Sequence, residues 1–162
     1  MIRAATIEDL DNIIEIYNQA IDAGFQTGFT EKWEPEERIG WLQEHLTGTH
    51  PIFVYVADGI VAGWFSISPY RAGRAAFRYT VEISYFVHSR HQKKGIGPQL
   101  VAYGINACRQ LDYKTAIAII LDKNDVSVKL IEKFGFEQWG FMPGIADFSG
   151  VECNHLYYGL KL

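Results

Sequence analysis

Six residues in mid-chain, Gln92-Lys93-Lys94-Gly95-Ile96-Gly97, have types and spacing suited to holding a phosphate. They lie between a strand-like run, Val81 to Val87, and a helix-like run, Pro98 to Gln110. The N–H groups at a helix start lack intrahelical partners, and the helix dipole favours an anion there. Glycine lets the backbone come close to a ligand. This reading predicts a phosphate-bearing cofactor; the plainer alternative is a tight strand-to-helix turn with Lys93 and Lys94 solvated. Two other phosphate loops are excluded. No G-x-x-x-x-G-K-[ST] string occurs, and Gly95-Ile96-Gly97-Pro98-Gln99-Leu100 lacks the third glycine of a dinucleotide-binding turn.

Upstream of that loop Glu82 sits in mid-strand, where an unpaired carboxylate is costly to bury. Two readings stand: an ion pair with Arg78, four residues away on the same face, or a group that takes up a proton. Arg71, Arg74 and Arg78 cluster just before this strand. They are either solvated surface or a set of planar donors for a carboxylate or sulfonyl-like group.

The elements that must position these residues follow from pattern. Thr6 and Asp9 make a capping-box-like start for a helix carrying Leu10, Ile13, Ile14, Tyr17 and Ile21. Pro35 suits the first position of a second helix, whose buried face is expected at Ile39, Leu42 and Leu46. Ile52 to Ala57 and Ile60 to Ile67 flank Asp58-Gly59, a hairpin signal. Phe77 to Val87 alternates strictly, with Arg78, Thr80, Glu82, Ser84 and Phe86 on one side. Leu100, Val101, Gly104, Cys108 and Leu111 mark the inner side of the next helix. Thr115 to Leu121 reads as a strand buried on both faces. Asn124-Asp125 begins a short helix that Gly135 ends, and Phe136–Phe141 with His155–Leu162 form a closing strand pair. The order βααβββαβαββ predicts an α+β fold in a single domain over residues 1–162.

Composition narrows the classes. The chain has 162 residues, 48% hydrophobic and 14% aromatic, enough for one globular domain with a sizeable core. Net charge of −4 argues against nucleic acid as the main partner, leaving only the local basic stretch Arg90 to Lys94. No apolar run approaches bilayer length, and Met1-Ile2-Arg3 leading into Glu8 and Asp9 is no signal peptide. No membrane partner is expected. The two cysteines, Cys108 and Cys153, form no disulfide framework, so a cytoplasmic setting is expected and neither has local support as a nucleophile. His88, His91 and His155 lack metal-ligand spacing, and no metal is expected.

Taken together, Val81 to Val87 followed by Arg90 to Gly97 resembles the acyl-CoA-binding segment of the GCN5-related N-acetyltransferases (GNAT), whose loop reads Q/R-x-x-G-x-G/A. Ile2-Arg3-Ala4-Ala5-Thr6, Asn124 and Glu132-Lys133-Phe134-Gly135-Phe136 extend the likeness over nearly the whole chain. Within that family the chain looks like the phosphinothricin and methionine sulfoximine N-acetyltransferases. The matching residues are Tyr17 to Ala20, Thr27-Gly28-Phe29, Glu37-Arg38, Ser68 to Arg71 and Phe77 to Glu82.

The resemblance implies a mixed, mostly antiparallel sheet, splayed at the cofactor site, with helices on both faces. It implies acetyl-CoA as co-substrate, held by backbone groups of Tyr85, Phe86 and Val87, by Gln92, Lys93, Lys94, Gly95, Ile96, Gly97 and Pro98, and by Asn124, which is equally a helix N-cap. It implies Glu82 as general base and the arginines, Arg78 first, as contacts for a small amino-acid-like amine. The loop bearing Thr27 and Phe29 would lie over that amine, and a homodimer is implied. Two departures stand out. The wider family often places a tyrosine, and the nearer branch a histidine, where this chain has Ile131; the segment Ser149 to His155 matches poorly. Other amines (a polyamine, an aminoglycoside, a protein N-terminus) and a non-catalytic acyl-CoA sensor remain as alternatives.

Overall fold

A computed structural model describes all 162 residues. The strands are β1 (Ile2–Ala4), β2 (Ile52–Ala57), β3 (Ile60–Pro69), β4 (Thr80–Val87), β5 (Thr115–Leu121), β6 (Glu137–Phe148) and β7 (Val151–Lys161). The helices are α1 (Leu10–Ala23), α2 (Pro35–Thr47), α3 (Ile96–Gln110) and α4 (Asp125–Glu132). All strands join one sheet in the order β1-β2-β3-β4-β5-β7-β6, with β4 and β5 its only parallel neighbours. The expected order of elements and the mixed α+β architecture are both present. Asp58 and Gly59 both take positive φ, 50° and 79°, which is what a two-residue hairpin requires. Asp9 closes the helix start by accepting from the Thr6 N–H at 2.8 Å and from both ends of the Arg3 fork.

Helices cover both faces of the sheet. On one, α3 and α4 pack Leu100, Val101, Cys108 and Ile131 against Phe65, Val81, Ile83 and Ala118. On the other, α1 and α2 pack Ile13, Ile16, Tyr17 and Leu42 against Ile52, Val54 and Trp64. α3 sits unusually close to the sheet because residue 104 is glycine: a Cβ there would fall 2.2 Å from the Phe65 ring.

The sheet opens in its middle. β4 and β5 pair only at Thr80↔Thr115, Val81↔Ala116 and Glu82↔Ile117. Beyond Glu82, β4 stays bonded to β3 as far as Val87↔Gly63, and β5 stays bonded to β7 as far as Leu121↔His155. The two strands therefore diverge, and the β5-facing backbone edge of Ile83 to Val87 is left without a strand partner.

Several sequence expectations are corrected. The strand carrying Glu82 begins at Thr80 rather than Phe77; Ala75–Phe77 is a 3-10 turn, so Arg78 does not alternate with Glu82 on one strand. The inner face of α2 is Leu42 and His45, while Ile39 and Leu46 are exposed, as is Leu111 after α3. α3 begins at Ile96, ahead of Pro98, and the closing strands run longer than expected, turning at Ser149-Gly150.

Candidate active site

The wedge between β4 and β5 forms one wall of a cleft of about 880 Å³. Tyr85, Phe86 and Val87 line it from β4. Gln92, Lys93, Gly95, Ile96, Gly97 and Pro98 line it from the loop and the start of α3, and Asn124 closes it from α4. Of the sequence-predicted cofactor residues only Lys94 lies outside the lining.

The local chemistry explains the shape. Gly95 sits at the N-cap of α3 with φ +78°, and Lys93 before it is also left-handed at +60°, so the loop turns tightly. Its N–H groups are then delivered with the helix start to one end of the cleft. Asn124 Oδ1 accepts from the Ser127 N–H at 3.2 Å, so the asparagine is a helix N-cap as well as a cleft residue. The Tyr85 hydroxyl donates to the Ser127 carbonyl at 3.3 Å across the cleft floor, and burial pushes its pKa up to about 12. These features fit a long phosphate-bearing thioester: a backbone edge free to pair with an amide-containing arm, and an anion-binding helix start where the cleft opens.

Glu82 stands at the apex of the wedge but on the opposite face of β4. Val81 and Ile83 point into the core under α3, whereas Phe86 packs with the α1–α2 core, so by strand alternation Glu82 and Ser84 share that second face. Across the ladder, Ser68 opposes Glu82 and Ser66 opposes Ser84, a polar strip beside the Trp64–Phe86 pair. Burial raises the Glu82 pKa above the ordinary carboxylate range, and the charge of Arg71 partly opposes that shift. No salt bridge reaches Glu82; the chain's three pairs are Arg3–Asp9, Lys32–Asp22 and His88–Glu15. A half-buried, unpaired carboxylate whose pKa is raised by burial is suited to taking up a proton.

The arginines do not act as one cluster. Arg78 donates to the Ala75 carbonyl and stacks on Tyr79 with its guanidinium carbon 4.6 Å from the ring centre. Arg71 is the one whose charge Glu82 feels, while Arg74 caps the 3-10 turn; all three are exposed. The 24–33 loop reaches the Glu82 side through aromatic contacts. Tyr17 meets Phe29, Trp33 and Phe86 at ring separations of 5.9, 3.9 and 4.9 Å, and its hydroxyl shares a short hydrogen bond with the Thr27 hydroxyl.

Sequence reasoning missed two sets of residues. Lys123, Lys129 and Lys133 also line the cleft; the i,i+4 spacing of Lys129 on α4 and Lys133 at its C-cap was the available signal. Phe25 lines the cleft mouth at φ +59° and contacts Phe148 of the β6–β7 hairpin at 5.0 Å, a pairing distant in sequence that no local pattern announces. Ile131, on α4, is fully buried in the core and does not line the cleft. No three His, Cys, Asp or Glu side chains converge as metal ligands, and no helix is long and apolar enough to cross a membrane.

Known proteins share this arrangement. The phosphinothricin N-acetyltransferase of Streptomyces viridochromogenes is 34% identical over 139 residues, 86% of this chain and 75% of its own length. The L-methionine sulfoximine/L-methionine sulfone acetyltransferase of Salmonella typhimurium is 31% identical over 144 residues, 89% of this chain and 84% of its own. The crystal structure of a phosphinothricin acetyltransferase from Sinorhizobium meliloti in complex with acetyl-CoA matches with TM-score 0.95 at 26% identity, covering 100% of this chain and 88% of that one. The model of the acetyltransferase (GNAT) family spans residues 13–136, which include both the divergent strands and the glycine loop. The chain thus belongs to the acetyltransferase (GNAT) family, in the branch of phosphinothricin and methionine sulfoximine N-acetyltransferases.

Proposed function

We propose that this acetyl-CoA-dependent N-acetyltransferase acts on the amine of a small amino-acid-like substrate, of phosphinothricin or methionine sulfoximine type, by direct transfer with Glu82 as general base. The observation that carries this reading is the position of Glu82: half-buried, unpaired, at the point where β4 and β5 part, and facing away from the cleft that suits acetyl-CoA. An amine must be neutral to attack a thioester. Glu82 takes the proton from the ammonium, directly or through a water. A β4 backbone N–H beyond Glu82 stabilises the charge that develops on the carbonyl oxygen.

No covalent enzyme intermediate is invoked. Cys108 is buried, with its pKa pushed up to about 12, and Cys153 is buried away from the cleft. With Ile131 in the core, no side chain of α4 at that position protonates the leaving group; a thiol pKa of about 8.5 makes a thiolate an acceptable leaving group near neutral pH. Gln92 to Pro98 and Asn124 hold the nucleotide end, Tyr85 to Val87 the arm. Phe29 and Arg71 face the acceptor, with Arg74 and Arg78 on the exposed turn behind. The two core clusters share one sheet, which supports a single domain. Two free, buried cysteines support a reducing cytoplasm. An exposed apolar row on the β6 edge supports a homodimer.

The test is thiol release from acetyl-CoA with methionine sulfoximine, methionine sulfone and phosphinothricin heading a panel of amines. Rapid release with one of the three is expected. Binding of acetyl-CoA without release for any amine overturns the acceptor assignment and favours a sensor; release only with polyamines or aminoglycosides moves the acceptor to that class.

A further inference from the structure

Four of the chain's eight lysines line the cleft that suits acetyl-CoA: Lys93 from the glycine loop, and Lys123, Lys129 and Lys133 from α4 and its two flanks. In a chain of net charge −4 that is an uneven distribution. All four are exposed, and none forms a salt bridge. Asp125 is the one carboxylate on the lining, and it pairs with none of them. Glu132, next to Lys133 in sequence, is turned to the Tyr158 hydroxyl, from which it accepts at 3.1 Å.

Lys129 and Lys133 differ from the other two. Lys93 belongs to the glycine loop, and Lys123 is engaged with an aromatic ring, its Nζ 5.8 Å from the centre of Phe25. The i,i+4 spacing of Lys129 and Lys133 puts two like charges side by side, which costs helix stability when no anion lies between them. Their helix is held against the start of α3, since a Cβ on Gly97 would fall 3.3 Å from Leu130 Cδ2. The pair therefore stands next to the glycine loop but on a separate element.

The loop accounts for one anionic group: the free N–H groups of the α3 start, with Lys93, suit a diphosphate. Coenzyme A carries a further phosphate on its ribose 3′ oxygen, a monoester with about −1.5 to −2 charges at neutral pH. Lysine brings a point charge on a flexible stem, which suits a terminal phosphate without a fixed planar geometry.

We propose that Lys129 and Lys133 bind the 3′-phosphate of acetyl-CoA and so select coenzyme A over its 3′-dephospho form. This rests on the cleft being the acetyl-CoA site. The competing role is general, a positive field that attracts any polyanion wherever its phosphates lie.

Calorimetry separates the two. Coenzyme A and 3′-dephospho-coenzyme A, which keeps the diphosphate, are titrated into wild type, the double variant Lys129→Ala/Lys133→Ala and the double variant Lys129→Arg/Lys133→Arg. Wild type is expected to bind coenzyme A about tenfold or more tightly than the dephospho form, the scale of charge-assisted hydrogen bonds. The alanine pair should remove most of that preference by weakening coenzyme A alone. Its unchanged Kd for the dephospho form also reports an intact fold. The arginine pair, which keeps both charges, should keep the preference. Equal losses for both ligands in the alanine pair, or no loss for either, overturn the proposal while leaving the acetyl-CoA cleft standing. A wild type that binds neither ligand removes the cleft assignment and this inference with it.

Discussion

The base role proposed for Glu82 rests on an energetic cost. Burial favours its protonated form, and Arg71 returns only part of what is lost. The native state therefore holds the proton more tightly than the unfolded chain, and stability contributed at this site falls as pH rises through the window between the two pKa values. The proposed base acts in its ionised form, so kcat/KM for the acceptor should fall on the acidic side at a pH above the ordinary carboxylate range. Glu82→Gln should remove that acidic limb, lower kcat by about a hundredfold or more, keep acetyl-CoA binding, and raise the melting temperature at neutral pH. A pH–rate profile that keeps its acidic limb in Glu82→Gln would assign the base elsewhere. Arg71→Ala should move the limb to higher pH, because the opposing charge is gone. Arg78→Ala should leave the limb in place, because that guanidinium is engaged with Ala75 and Tyr79. The opposite pattern would restore Arg78 to the position beside Glu82 that strict strand alternation predicts.

At the scale of elements, the site depends on how closely α3 approaches β3 and β4. The Gly104–Phe65 contact sets that approach, and the α3 start carries the glycine loop with it. Gly104→Ala places a methyl group inside the Phe65 ring's space. It should cost about 1–3 kcal/mol through overpacking, despite the better helix propensity of alanine. Thermal unfolding should show a drop of several degrees; an unchanged or higher Tm would mean that α3 can shift freely, and that Gly104 does not hold the cleft's dimensions. Gly95 is glycine for another reason. Its φ of +78° is a conformation that side chains resist, while a Cβ there would meet only the Gln99 side chain, at an ordinary 3.8 Å.

The molecule as a whole ends its sheet on an uncovered edge. β6 has no neighbour beyond β7, and Phe141, Met142 and Ile145 on it are exposed together with Val151 on β7. Exposed edges and contiguous apolar surface are ordinarily covered in soluble proteins. A second copy is the occupant proposed here, and light scattering should give twice the 18.4 kDa chain mass. Ile145→Glu, which places a charge in that row, should shift the population to monomer. A wild type that stays monomeric at tens of micromolar would rule the homodimer out.

The glycine turn into α3, the hairpin turn, the helix starts at Thr6 and Pro35 and the buried strand Thr115–Leu121 were all legible in the sequence, because each rests on short-range chemistry: a cap, a positive φ, a run of apolar residues. So was the pairing of a mid-strand glutamate with a downstream glycine loop, since one strand connects them. What tertiary structure decided is everything that depends on which distant segments meet. The turn at Ala75–Phe77 took Arg78 out of the strand and left Arg71 as the charge that Glu82 feels. The α1–α2 segment folded over the same face and brought Arg38 and Trp33 together with Phe29 and Tyr17. The parting of β4 from β5 after Glu82 is a property of two strands 35 residues apart at that point, Glu82 and Ile117. Local periodicity contains no term for where such a pairing stops.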